Sequence, residues 1–297
     1  MTVFNRQMAS ILSIVFPVFC AIAAGYAFGR FKKLSLESLI EVLLYITIPS
    51  LVVSSLTKRS FAISDVAVIA GAATAVILST GAISYVYLAI IKKRDLRGFY
   101  LPTMFMNSGN MSFPLALLAF GEEGLSIAVI YYITVSLLVY SLGIYIAKGG
   151  GGLGEMFRLP LIYASIIGLT INLTNVTLPN PIQVTVDMLG AATIPLMLIS
   201  LGYRLHSAKL SHFWISLAGS VIRIGGGVSI AYLIVTFFGI QGLDAKIIIL
   251  SSAMPSAVIN FIISHRYNVH SDLVASTVVV STLISVVTTP LVLLWIM

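Results

Sequence analysis

Glu41-Val-Leu-Leu-Tyr-Ile-Thr47-Ile48-Pro49 returns 146 positions later as Asp187-Met-Leu-Gly-Ala-Ala-Thr193-Ile194-Pro195. In both copies an acid stands eight residues ahead of a proline, and Thr-Ile-Pro is identical. The flanks agree at nearby offsets: Pro17 and Gly25 match Pro160 and Gly168, and 124–146 matches 272–295. The chain therefore reads as two related halves joined at Lys148-Gly-Gly-Gly-Gly-Leu-Gly154. No Lys-Ser/Thr follows those glycines to meet phosphate and magnesium, so the run reads as a flexible linker and not as a phosphate loop.

Both halves have the composition of a membrane protein. Of 297 residues, 59% are apolar and 9% charged, where a soluble domain carries about 25% charged; a water-soluble protein is excluded. At ~20 residues per spanning helix, the apolar runs divide at charge, Gly, Pro and Asn into ten segments. They are 10–29, 37–56, 65–91, 97–121, 124–146, 158–176, 181–203, 211–238, 243–265 and 271–296. The runs are continuous rather than alternating, which selects helices over the β-barrel, the other architecture that satisfies its backbone in lipid. The expected fold is all-α and polytopic, with ten transmembrane helices in two five-helix repeats. These occupy 1–147 and 158–297, with a cytoplasmic Gly-rich linker at 148–157. Because five is odd, the second repeat enters from the opposite face and the two are inverted.

Basic residues orient the chain. Twelve of the 17 Lys and Arg fall in one set of loops, among them Lys33, Arg94, Arg204 and Lys209. Four fall in the other set, Arg6, Lys58, Arg59 and Lys246. The richer set is cytoplasmic, which puts both termini outside the cell membrane. The net charge of +7 is mostly this topology signal, so membrane lipid and not nucleic acid is the expected surround. Arg6 and the apolar stretch leading to Ala23, Ala24 and Gly25 also have the outline of a cleaved leader. That stretch has a counterpart in the second half, and it is expected to remain as the first span. The single Cys20 excludes an intramolecular disulfide and a Cys-based zinc site. Neither a metal nor a cofactor is expected.

Two spans are interrupted near their middles, by Met106-Asn-Ser-Gly-Asn-Met-Ser-Phe-Pro114 and by Ser251-Ser-Ala-Met-Pro-Ser-Ala-Val-Ile-Asn260. Pro removes a helical donor and clashes with the preceding turn, Gly relaxes the backbone, and Asn and Ser bond to freed peptide groups. Irregular backbone at membrane depth persists only where it is buried or lines a cavity. Breaks at equivalent places in inverted halves point to half-helices whose positive N-terminal ends face an anionic group of a substrate. Two kinked structural helices are the alternative. The candidate substrate-binding residues are Asn107, Asn110, Ser112 and Pro114 in the first break, and Ser252, Pro255, Ser256 and Asn260 in the second.

These stretches, with the Ile-Pro segments of the second and seventh helices, resemble the auxin efflux carrier family, whose prokaryotic members are similar to plant PIN-type auxin exporters. The resemblance covers essentially the whole chain, minus the long central cytoplasmic loop of many plant members. It implies the fold of bile-acid sodium symporters and sodium-proton antiporters, with helices 1, 2, 6 and 7 as scaffold and helices 3 to 5 and 8 to 10 as a moving unit. It further implies a homodimer, an elevator movement, and a substrate held at the crossover by Asn110 with Pro114 and by Pro255 with Asn260.

Three charges fall more than a turn inside spans. Arg223 lies near the middle of the eighth helix, where a charge costs ~2.5–3.5 kcal/mol on insertion scales. Its candidate partners are a substrate carboxylate, Asp187 and the carbonyl ends of a broken helix; snorkelling to the cytoplasmic face or a structural pair is the plainer reading. Glu41 and Asp187 lie a turn or two inside opposite ends of their spans and are candidate proton or cation sites. For Asp187 an interfacial carboxylate paired with a loop base is the favoured reading. Neither broken helix carries paired carboxylates, which weakens the case for obligatory ion coupling.

The expected function is secondary transport of a small organic anion, a carboxylate, by alternating access, with efflux driven by membrane potential. The alternative is a proton- or sodium-coupled symporter or antiporter for a mono- or dicarboxylate such as malonate or malate. An intramembrane enzyme needs a set such as His-Glu-x-x-His, and a channel needs an acidic ring or a carbonyl filter. The sequence contains no such pattern, and no catalytic residue is assigned.

Overall fold

The structure, a computed structural model, describes residues 3–32, 35–150, 153–207 and 210–297. Lys33, Lys209 and the linker glycines Gly151 and Gly152 lie outside the described residues. Among the described residues the chain is helical, with one isolated antiparallel bridge and no strand. The helices are α1 Val3–Phe31, α2 Leu36–Thr57 and α3 Ile63–Ile90, α4 Tyr100–Met104, and α5 Ser112–Lys148. They continue as α6 Pro160–Leu173, α7 Asn180–His206 and α8 Phe213–Phe237, α9 Gly242–Ser252, α10 Ile259–Arg266 and α11 Ser271–Ile296. Among the described residues seven of these are long and apolar enough to cross a membrane. They expose large apolar side chains such as Phe16, Ile90 and Phe237, the outward face of a chain solvated by lipid. The protein is a multi-pass helical membrane protein.

Local chemistry sets where the helices start, bend and stop. Asp65 accepts from the Ala62 N–H at 3.0 Å and caps α3. Gly149, at φ +81°, ends α5 in the left-handed conformation that glycine adopts without a Cβ penalty. The expected fourth helix, 97–121, becomes a 3₁₀ turn at Arg97–Phe99, the short α4, a non-helical stretch at 105–111 and the first turns of α5. Its junction with the expected fifth helix is Gly121 alone, at φ +69° and ψ −164°, which is why the two spans run on as one helix by hydrogen bonding. The expected flexible linker contains a helical turn at Leu153–Met156.

The repeated Thr-Ile-Pro has the same consequence in both halves. Pro49 cannot donate to the Tyr45 carbonyl, and α2 widens into a π-turn at Leu43–Thr47 just before it. Three residues before Pro195, at Ala192, the helical run of α7 is likewise interrupted. Thr47 and Thr193, the matched threonines, are both buried with hydroxyls that have no partner among the described residues.

Small residues allow α1, α2, α6 and α7 to pack backbone to backbone, the device available where lipid supplies no hydrophobic drive between helices. A Cβ on Gly202 of α7 would sit 1.9 Å from the Ile22 carbonyl of α1, and one on Gly25 of α1 would sit 2.2 Å from the Ile199 carbonyl of α7. Gly190 of α7 lies close on α2 but less tightly, where a Cβ would be 3.0 Å from Leu51 Cα. Asn172 of α6 donates to the carbonyls of Leu56 and Arg59 and accepts from the Phe61 N–H, closing the end of α2. The remaining helices pack around the two unwound stretches.

Candidate functional site

Residues 105–111 and 253–258 leave the helical conformation and pair with each other. Met106 and Ser256 form the antiparallel bridge. The Asn107 N–H donates to the Pro255 carbonyl at 2.7 Å, and the Ala257 N–H donates to the Phe105 carbonyl at 3.1 Å. Each break thus supplies partners to peptide groups freed in the other, which satisfies backbone that hydrocarbon cannot. Asn260 adds a side-chain bond from Nδ2 to the same Phe105 carbonyl, 2.9 Å, and another to Ser256 Oγ, 3.0 Å. Asn107 Oδ1 accepts from the Asn110 N–H at 3.2 Å and folds the first break back on itself.

The pairing gives the four half-helix ends a definite polarity. The C-terminal ends of α4 and α9 converge on Arg223, which is fully buried. Its Nη1 donates to the carbonyls of Thr103, 3.0 Å, and Met104, 2.6 Å, and its Nη2 donates to the Ser252 carbonyl, 3.2 Å. Of the three partners considered from sequence, the carbonyl ends of the broken helices are the one found. Among the described residues Arg223 makes no ion pair with a carboxylate. Arg223 sits in a π-turn at Ile222–Gly226, and Gly227 opens the space its guanidinium needs. A Cβ there would fall 2.3 Å from both Arg223 Nη2 and the Ser252 carbonyl.

The N-terminal ends of α5 and α10 instead border a cavity. It is lined by 106–110 and 257–259 from the two breaks, by Tyr132, Ser136 and Tyr140 of α5, and by Ser200 and Arg204 of α7. Apolar side chains of α2 complete the wall, among them Leu43 and Leu44. The π-turn at Leu43–Thr47 and a second at Val139–Gly143 both contribute to it, and π-turns recur at functional sites. An apolar wall with a few placed polar groups is the usual make-up of a small-molecule site. The lining contains one cation, Arg204, and no carboxylate.

Of the candidates read from sequence, Asn107 and Asn110 line this cavity. Asn107 is 3% exposed, and its Nδ2 has no partner among the described residues. Ser112, Pro114, Ser252, Pro255, Ser256 and Asn260 are gathered at the same crossing but lie behind the lining. Ser112 Oγ bonds to Ser251 Oγ at 2.8 Å, Ser252 Oγ to the Tyr131 hydroxyl at 2.8 Å, and the Ser256 N–H to Ser281 Oγ at 3.1 Å. Arg204, Tyr132, Tyr140, Ser136 and Ser200 were not anticipated. A charge near a helix end reads from sequence as a loop base, and nothing in a span's composition gives its rotation.

Asp187 and Glu41 are away from the crossing. Asp187 accepts from Ser54 Oγ and from Gln183 Nε2, 3.1 Å, and pairs with Lys58 at 3.5 Å. Lys58 also lies 3.5 Å from Glu122 in the first turns after Gly121, and neighbouring Arg59 lies 3.4 Å from Asp244 at the start of α9. Glu41 is exposed on α2.

A family model described as membrane transport protein matches residues 153–293, which include Arg223, Arg204 and the second break. An uncharacterized transporter of Methanothermobacter thermautotrophicus is 28% identical over 296 residues, covering 93% of this chain and 95% of that protein. A second, from Methanocaldococcus jannaschii, is 26% identical over 294 residues, covering 92% and 95%. Auxin efflux carrier component 2 of Arabidopsis thaliana is 26% identical over 144 residues, 46% of this chain and 22% of the plant protein. The chain is similar to membrane transporters over nearly its whole length and to plant auxin efflux carriers over part of it. The archaeal relatives match it almost end to end, whereas a probable auxin efflux carrier component 3b of Oryza sativa matches 44% of the chain and 23% of its own length.

Proposed function

We propose that this transporter moves small organic anions, carboxylates with an apolar body, through the cavity at the crossed breaks. The observation that carries the reading is the polarity of the crossing: acceptor ends of α4 and α9 turned to Arg223, donor ends of α5 and α10 bordering a cavity that holds Arg204 and no carboxylate. Helix N-termini attract anions through their free N–H groups and dipole. Asn107 Nδ2, Asn110 and Arg204 would hold the carboxylate, and the apolar wall would hold the body.

With the two broken helices each counted as one span, and α5 as two segments meeting at Gly121, the chain has ten spans in two inverted repeats. In this reading α1, α2, α6 and α7 form the scaffold, and the other helices carry the crossing across it in an elevator movement, as the family resemblance implies. Both termini lie outside a cell membrane, and the protein works as a homodimer. The Lys58–Glu122 and Arg59–Asp244 pairs join scaffold to moving unit. A monoanion leaving a cell at ~100 mV inside-negative gains ~2.3 kcal/mol, about a fiftyfold concentration ratio, so efflux needs no coupled ion. Proton- or sodium-coupled uptake would have to draw on Asp187 or Glu41, of which Asp187 is already paired with Lys58.

The test is flux in proteoliposomes of a carboxylate panel, from malonate and malate to indole-3-acetate, with potential, proton and sodium gradients imposed separately. Flux that follows potential alone supports uncoupled efflux. A requirement for a proton or sodium gradient overturns that part, and absence of flux for every carboxylate overturns the anion assignment.

A further inference from the structure

Three backbone carbonyls, from Thr103, Met104 and Ser252, converge from two helix ends at a fully buried place. In membrane transporters such half-helix C-terminal ends and unwound carbonyls are what coordinate a sodium ion, and hard cations take oxygen ligands of this kind. We infer that these carbonyls form a cation site and that its resident cation is the guanidinium of Arg223.

The charge balance fits. Each helix C-terminus carries up to about −0.5 of an elementary charge, so two ends meeting at one point ask for about one positive charge. Arg223 supplies that charge without a carboxylate partner among the described residues. Its planar fork reaches both ends at once, with Nη1 on α4 and Nη2 on α9, a division a single ammonium point cannot reproduce. Further oxygens stand close by, since Ser252 Oγ and the Tyr131 hydroxyl lie 2.8 Å apart. Gly227 keeps the passage to the Ser252 carbonyl open, one helical turn along from the arginine. A tethered cation holds the two acceptor ends together permanently, so the crossing keeps its shape whatever the ionic conditions. Arg223 is thus a positioning residue that occupies the place of an ion.

The experiment uses the purified full chain in detergent, reads thermal unfolding, and compares Arg223→Lys, Arg223→Met and Arg223→Ala with the unsubstituted protein. Because no substrate is involved, its failure is separable from failure of the carboxylate reading. Melting points should order as Arg above Lys above Met. Millimolar guanidinium, and more weakly sodium, should raise the Ala variant by several degrees relative to choline, while leaving the unsubstituted protein unchanged. If Arg223 only fills space, Met matches the original and guanidinium does nothing for Ala; either result overturns the inference. Should Ala or Met fail to accumulate, Lys is the readout: its ammonium keeps the charge but cannot bridge both ends, so a Lys variant that melts below the original protein supports the inference, and one that melts with it overturns it.

Discussion

Replacing Gly227 with alanine should loosen the crossing from behind, without touching the cavity. The added Cβ would lie 2.3 Å from Arg223 Nη2 and 2.3 Å from the Ser252 carbonyl, so the guanidinium must withdraw and α8 must move away from α9. Losing one hydrogen bond to a charged group costs about 1.5–3 kcal/mol, and forcing an extra carbon into a packed interior costs about 1–3 kcal/mol. The gain from replacing a helical glycine is only about 1 kcal/mol, which leaves a net loss of roughly 1.5–5 kcal/mol on the same scales. Gly225 is the control, since it stands two residues away on the same helix and a Cβ there meets nothing within 4 Å. Thermal unfolding in detergent should show Gly227→Ala well below the original protein and Gly225→Ala at or slightly above it. Equal stability of the two variants would refute the claim that Gly227 exists to admit the arginine.

Other perturbations separate site from frame. Asn107→Ala removes a cavity donor and the acceptor for the Asn110 N–H; loss of a comparable cap costs ~1 kcal/mol, so the protein should fold while carboxylate flux falls far more than its stability, and unchanged flux would remove Asn107 from the site. Gly202→Ala drives a Cβ to 1.9 Å from the Ile22 carbonyl and should cost at least about 1–3 kcal/mol, whereas Gly154→Ala, with open space around it, should leave melting unaltered. Lys58→Met breaks partly exposed pairs worth ~0–1 kcal/mol; melting should barely move, while flux changes because Lys58 bridges Glu122 and Asp187, and identical flux would deny that bridge a role in the movement.

Patterns carried by backbone chemistry were legible in the sequence. Apolar continuity marked where the seven long apolar helices run, the Gly, Pro and Asn punctuation located both breaks, and the repeated Thr-Ile-Pro marked two places where a helix departs from regularity. Arg223 was legible as a charge in need of a partner, though not which partner, because that depends on how α4 and α9 end beside α8. Asp187 reads as an interfacial acid with a basic neighbour, and Lys58 is that neighbour. What depends on helix rotation was hidden. Arg204 counts in sequence as one more loop base, and only the placement of α7 in the fold brings it into the lining beside the breaks. The same holds for the serines: Ser112 shares the first break with Asn107 and Asn110, and Ser252 stands at the second, yet their hydroxyls bond within the packing behind the cavity. The π-turns have no composition signature of their own beyond Pro49.

The measurement closest to the central claim is the charge moved per carboxylate, obtained by recording current and labelled flux together in proteoliposomes under an imposed potential. The account predicts one negative charge carried with each monocarboxylate, unchanged when sodium or proton gradients are removed. An electroneutral or positive-going cycle, or a current with no carboxylate moving, would contradict it.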